Sequence, residues 1–86
     1  MVTRVTMPPL GDAATLFTLV KWLKQEGEPV AKGEPLFEVD NGKASVEVES
    51  LGSGHLRRIL VPEGTEAEIG EVLAFVGELD DVLPSG

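Results

Sequence analysis

Along the chain, apolar residues come in short runs broken by glycine and proline, and within each run they tend to alternate with polar residues. That pattern predicts many short strands joined by turns. Six strands stand out: "TRVTMP" (3–8), "TLVKWLK" (18–24), "LFEVDN" (36–41), "ASVEVE" (44–49), "GHLRRILV" (54–61) and "VLAFVG" (72–77). Shorter extended pieces are expected near "EPVA" and "TEAE". "TLFTLVKWLKQEG" imitates a helix, but Thr15, Phe17, Thr18, Val20 and Trp22 favour the extended state. The expected class is all-β.

The pattern also recurs. "EGEPVAKGEPL" (26–36) aligns with "EGTEAEIGEVL" (63–73) at an offset of 37, and "LVKWLK" then falls over "LRRILV". Leu19/Leu56, Leu23/Leu60, Glu26/Glu63, Gly27/Gly64, Gly33/Gly70, Glu34/Glu71 and Leu36/Leu73 are identical. Neither half is large enough to bury its own apolar face, so the pair is expected to pack as one flattened sandwich or barrel about an approximate two-fold axis. Its interior should hold Val5, Leu19, Leu23, Leu36, Val39, Val46, Val48, Leu56, Leu60, Leu73 and Phe75. Trp22 is left open, because Val20 and Arg57 are equivalent in the repeat but chemically opposed. The offset carries Lys43 onto positions 6 and 80, which places the lysine at one end of the domain and the chain termini near the other.

Composition narrows the chemistry. With 86 residues and no cysteine, the chain is a single small domain without disulfides, thiol nucleophiles or cysteine metal sites. Seven basic against fifteen acidic residues give a net charge of −8, which argues against nucleic acid and anionic lipid as partners. No apolar run approaches the roughly 18–20 residues of a membrane span. "MVTRVTMPPLG" lacks the layout of a signal or transit peptide, which favours a bacterial-type cytoplasm. Arg57-Arg58 reads as a solvated strand edge, Glu47 and Glu49 as a solvated face, and His55 as a partly exposed strand residue. Nothing marks Ser45, Ser50 or Ser53 as an activated nucleophile, so independent catalysis is not expected.

One lysine is placed differently from the others. In "EVDNGKASVEVE" (38–49), two alternating runs flank an Asn-Gly-Lys corner, which is the pattern of a β-hairpin. Two registers keep Phe37, Val39, Val46 and Val48 facing inward. With Asn41-Gly42 at the corners, Val39 pairs with Ala44 and Asp40 lies opposite Lys43. With Gly42-Lys43 at the corners, Val39 pairs with Val46, Phe37 with Val48 and Glu38 with Glu47. Turn chemistry favours the first, since Asn-Gly is the preferred type I′ pair. In both, Lys43 projects from the tip.

The order of short motifs then resembles a known family. Met7, Pro8, Leu10 and Gly11 are followed by Val20-Lys21-Trp22-Leu23, Glu26-Gly27, Val30 and Lys32-Gly33-Glu34. Next come Lys43-Ala44 before Val46-Glu47-Val48, Gly54, Ile59-Leu60-Val61, Glu63-Gly64 and Gly70. Over residues 4–77 this is similar to the lipoyl domains of 2-oxo acid dehydrogenase complexes, carrier modules of the dihydrolipoyl acyltransferase component. The resemblance implies two four-stranded antiparallel sheets and lipoate in amide linkage to Lys43, with Asp40, Asn41, Gly42 and Ala44 forming the hairpin read by the lipoate-attaching enzyme. It implies a monomeric, non-catalytic carrier serving a 2-oxo acid decarboxylase, the acyltransferase core and dihydrolipoamide dehydrogenase, in a bacterial cytoplasm or a mitochondrial matrix. The carrier domain would span 1–78, and 79–86 would begin a flexible linker. Three departures stand against the pattern: Gly42 in the usual Asp position, Asp12 where Glu is common, and Leu16-Phe17 for the usual Glu-Gly. The alternatives are a biotinyl carrier, which normally flanks its lysine with methionines, the longer glycine-cleavage carrier, and an unmodified lipoyl-like domain with an assembly role.

Overall fold

A computed structural model describes residues 2–10 and 15–84. They form eight strands: β1 (Thr3–Thr6), β2 (Leu16–Trp22), β3 (Pro29–Val30), β4 (Pro35–Asp40), β5 (Ser45–Glu49), β6 (Gly54–Ile59), β7 (Thr65–Glu68) and β8 (Val72–Gly77). Two four-stranded antiparallel sheets result, in the orders β1-β8-β6-β3 and β5-β4-β2-β7. The offset of 37 carries β2 onto β6, β3 onto β7 and β4 onto β8, so the two sheets repeat each other strand by strand. The all-β sandwich expected from the repeat is what forms.

The repeat works through its turns. Residues 25–28, 31–34, 62–65 and 68–71 each close a turn whose third residue is glycine, with φ of 93°, 90°, 86° and 88°. A type II turn requires that sign of φ, which other residues adopt only at a cost. In three of the turns the fourth residue's carboxylate also accepts the first residue's amide: Gln25 N to Glu28 Oε1 (2.6 Å), Ala31 N to Glu34 Oε1 (2.7 Å) and Glu68 N to Glu71 Oε1 (3.1 Å). In the fourth turn the first residue is Pro62, which has no amide hydrogen, and Thr65 stands where the carboxylate would be. Donor and acceptor are absent together. The Ala31 amide, with Lys24 3.4 Å from the carboxylate, holds the Glu34 carboxyl below its ordinary range. That stabilisation is present above the ordinary carboxylate range and is lost as pH falls through the lowered value.

Each half also caps the other. Gly27 N donates to Leu56 O and Gly64 N to Leu19 O, both at 2.7 Å. Glu63 Oε2 accepts the Trp22 amide at 2.8 Å, and Glu26 Oε2 accepts the Ile59 amide at 2.7 Å. β2 and β6 run on past the ends of β7 and β3, and the turn glutamates satisfy the amides those short neighbours leave unpaired.

The interior differs from the expected list in an instructive way. Leu19, Leu36, Val39, Leu56, Leu73 and Phe75 are buried as expected, joined by Met7, Phe17, Trp22, Val30, Phe37, Val61, Ala67, Ala74 and Val76. Leu60, however, is 37 % exposed and Val46 36 % exposed, while Val5, Leu23 and Val48 are half-buried. The cause along β2 and β6 is a pair of matching bulges, with Val20 extra between Leu19 and Lys21 and Arg57 extra between Leu56 and Arg58. An inserted residue reverses the alternation beyond it. Trp22 and Val61 therefore turn inward, Ile59 packs against the core, and Leu23 and Leu60 are displaced outward. Val46 has another cause: β5 is an edge strand, and the residue sits at the open margin of the sandwich.

The arginine pair is also corrected. β6 is an interior strand, not an edge. Arg57 is the half-buried bulge residue, and its Nη1 donates to the carbonyl oxygens of Glu78 and, at 3.0 Å, Asp81. Only Arg58 is fully solvated. From these positions, Leu56→Ala is expected to cost about 2–5 kcal/mol. Val46→Ala and Leu60→Ala should each cost less than about 1 kcal/mol. Urea denaturation of the three variants checks the ranking, and equal losses would refute the bulge account.

Candidate functional site: the lysine hairpin

β4 and β5 form the hairpin that carries Lys43. Its ladder pairs Phe37 with Val48, Glu38 with Glu47, Val39 with Val46 and Asp40 with Ser45. Asn41 N donates to Ala44 O at 3.3 Å, so Gly42 and Lys43 are the two corners. The Asn-Gly corner favoured by turn statistics is not adopted, and Asp40 lies opposite Ser45, not Lys43. The reason is visible in the backbone. Gly42 has φ +94°, and no non-glycine residue among those described has positive φ. Positive φ at the first corner alone is the pattern of a type II′ turn, with glycine where that turn wants it. Lys43 escapes the left-handed strain that a type I′ corner would impose on it.

Two side chains finish the loop. Asp40 Oδ1 accepts the Gly42 amide at 2.7 Å. Asn41 Oδ1 accepts two consecutive amides, from Lys43 at 2.9 Å and Ala44 at 3.0 Å. This capping by Asn41 escaped the reading of the sequence, although an Asx residue at the first position of a turn is its usual signal. Lys43 and Ala44 are exposed, and Lys43 forms no ion pair among the described residues. A Cβ at Gly42 would meet nothing within 4 Å, so only the backbone conformation resists substitution there. Gly42→Asp is accordingly expected to lower stability by about 1 kcal/mol through the φ penalty alone. Chemical denaturation measures this, and a loss above about 2 kcal/mol would point to a steric role that the open surroundings do not supply.

The tip stands on an acidic surface. Glu38, Asp40, Glu47, Thr18, Lys21, Glu66 and Glu68 share the outward face of the β5-β4-β2-β7 sheet. Glu38 and Glu47 are direct cross-strand neighbours, an arrangement that costs stability in itself. Thr18 pairs with Asp40, so the start of β2 runs alongside the hairpin. There Leu16 is 46 % exposed and Phe17 is buried in the core, so the two members of the unusual apolar pair have separate roles. Gly11 and Asp12 lie outside the described residues.

The other candidates are not assembled into chemistry. His55 is half-buried on β6, with Nδ1 enclosed. Ser50 Oγ donates to Gly52 O at 2.7 Å and Ser53 Oγ accepts the Lys32 amide at 2.9 Å, both as turn contacts. Ser45 opens β5 opposite Asp40. Among the described residues, no three His, Cys, Asp or Glu side chains gather as a metal site, and no helix is long and apolar enough to cross a membrane.

Comparison with known proteins bears on the same region. A family model described as "Biotin-requiring enzyme", covering biotin and lipoyl attachment domains, matches residues 3–76. The chain is 39 % identical, over 94 % of its length, to the mitochondrial dihydrolipoyllysine-residue acetyltransferase component 3 of the pyruvate dehydrogenase complex of Arabidopsis thaliana. It is 42 % identical over 86 % of its length to the dihydrolipoyllysine-residue succinyltransferase component of the 2-oxoglutarate dehydrogenase complex of Staphylococcus saprophyticus. It is also 42 % identical over 91 % of its length to the acetyltransferase component of the pyruvate dehydrogenase complex of Zymomonas mobilis. The matched segment is 16–18 % of each of these relatives, so the chain spans less than a fifth of their length.

Proposed function

The chain belongs to the biotin/lipoyl family and is a domain of lipoyl-carrier type, and on that premise we propose that Lys43 bears the lipoyl group. The observation that carries the assignment is the Gly42-Lys43 corner, where an exposed amine with no ion-pair partner among the described residues stands at the tip of a two-strand ladder. Lys24 is engaged by Glu34 at 3.4 Å, Lys21 is exposed within β2 opposite Glu38, and Lys32 sits in a turn tied to Ser53. None of the three projects from a corner of this kind.

The residues present fit an amide-linked carrier group. As the free amine, Lys43 Nζ adds to the carbonyl carbon of an activated lipoyl group. The C–N bond forms, the bond to the leaving group breaks, and the amine gives up one proton to solvent. A lipoyl group held on Lys43 would supply a disulfide whose S–S bond can open to take up an acyl group and two electrons and close again once both have left. The protein's share is presentation: the ladder fixes the corner, Asp40 and Asn41 hold its amides, and the acidic face beneath offers a docking surface. Gly42 and Ala44 flank the lysine, and the two methionines, Met1 and Met7, are remote in sequence from the tip, with Met7 buried. That favours lipoyl over biotinyl attachment.

The domain would act without catalysis of its own as one part of a longer acyltransferase chain. Its partners would be the lipoate-attaching enzyme, a 2-oxo acid decarboxylase, the acyltransferase core and dihydrolipoamide dehydrogenase, in a bacterial cytoplasm or a mitochondrial matrix. The chain past β8, from residue 79, would lead into the linker.

Incubation with a lipoate-attaching enzyme and activated lipoate, followed by intact-mass measurement and peptide fragmentation, tests the assignment. One lipoyl group on Lys43 is expected. A biotinyl adduct from the corresponding biotin reaction alone, or label on Lys21, Lys24 or Lys32, would overturn it.

A further inference from the structure

We propose that Asn41 is the positioning residue for lipoylation, acting on Lys43 through the backbone and not by contact with the attaching enzyme. The proposal rests on the carrier assignment of Lys43. The corner departs from the family pattern in having Gly42 before the lysine, and glycine brings freedom as well as a favourable φ. An unrestrained Gly-Lys corner would sample several directions for the amine. Something else in the loop must remove that freedom.

Asn41 is built to do so. One carboxamide oxygen receives the amides of both Lys43 and Ala44, at 2.9 and 3.0 Å, which fixes the two peptide planes on either side of the lysine Cα. These bonds stand at the tip, beyond the last ladder pair of Asp40 with Ser45, so the sheet does not enforce them. Asp40 acts one step earlier by holding the Gly42 amide at 2.7 Å. Among the described residues, Asn41 is the side chain that reaches the lysine's own amide. The carboxamide oxygen has lone pairs for two donors, and a carboxylate in the same place has them as well.

An attaching enzyme binds only the fraction of hairpins whose amine points correctly, so apparent affinity scales with that fraction. Removing one or two tip hydrogen bonds lowers the fraction by a factor of about three to ten. The chemical step, once the amine is seated, is unchanged. The signature is therefore a rise in KM with kcat preserved.

The test compares wild type, Asn41→Ala and Asn41→Asp as whole domains, using lipoylation kinetics and amide hydrogen exchange. In Asn41→Ala, KM for the domain is expected to rise about three- to tenfold with kcat within twofold, and exchange at Lys43 and Ala44 to quicken. Asn41→Asp, which keeps the acceptor oxygens, should restore KM to within about twofold. Unchanged KM in Asn41→Ala despite faster exchange would overturn the proposal, as would unchanged exchange. An Asn41→Asp variant as impaired as Asn41→Ala would also overturn it, because the enzyme would then be reading the carboxamide itself. If wild-type Lys43 takes no lipoate at all, the carrier assignment falls and this proposal with it. The exchange data separate that case from a failure of Asn41 alone.

Discussion

A Lys43→Arg variant is expected to take up no lipoate at all, and to unfold within about 0.5 kcal/mol of the parent. Arginine keeps the positive charge and most of the reach of lysine, but its guanidinium stays protonated under all ordinary conditions and does not acylate as an amine does. The substitution therefore removes nucleophilicity and little else. Stability should hold because Lys43 is exposed and its bonds to the loop are made by its main chain. Mass spectrometry after exhaustive reaction supplies the readout, with thermal denaturation as the control. Label appearing on another lysine of the variant would show that the attaching enzyme reads the sheet surface and not the corner.

Phe37→Ala is expected to be the most damaging single truncation, at about 3–5 kcal/mol. Phe37 lies on β4, fully buried, with its ring centroid 5.3 Å from that of Trp22 and the planes tilted by 51°. A tilted pair of this kind adds roughly 0.5–1.5 kcal/mol beyond the area it buries. Relaxation cannot easily fill the gap, because Trp22 is held by its Nε1 bond to Val61 O at 2.9 Å and its main-chain bond to Glu63. The loss is comparable with the whole stability of a small domain, roughly 5–15 kcal/mol. The melting temperature should fall by roughly 15–30 °C. A drop under about 5 °C would mean that the core is loosely packed around this ring.

Much of the fold was legible because its turns are written in the chain at fixed spacing. Glycine as the third residue of four turns gave the repeat, and the repeat gave two equivalent sheets. What escaped was everything that depends on a single extra residue. The bulges at Val20 and Arg57 leave no compositional mark, yet they exchange Leu23 for Trp22 and displace Leu60 outward. Phe75 shows the converse. It is buried as expected, but on the outward side of its sheet, in register between Arg4 and Arg58, at the position where the other half has Glu38. Burial was readable there, whereas the face was not. At the site, the exposed corner position of Lys43 was legible from its neighbours. The register was not, since two pairings preserve the same inward face and the sign of φ at Asn41, positive at an Asn-Gly type I′ corner and negative here, separates them.

The strand pairing gives the molecule two equivalent corners. Val39 faces Val46 across β4 and β5 as Val76 faces Thr3 across β8 and β1. The first gap is bridged by residues 40–45, while the second is left open. The two four-stranded sheets are separate ladders, and β1 begins and β8 ends at the position equivalent to the Lys43 corner. A circular permutant that bridged the open gap and was cut elsewhere would regain the same pairings. A group attached at the Lys43 corner, as proposed, would therefore sit apart from the corner at which β1 begins and β8 ends.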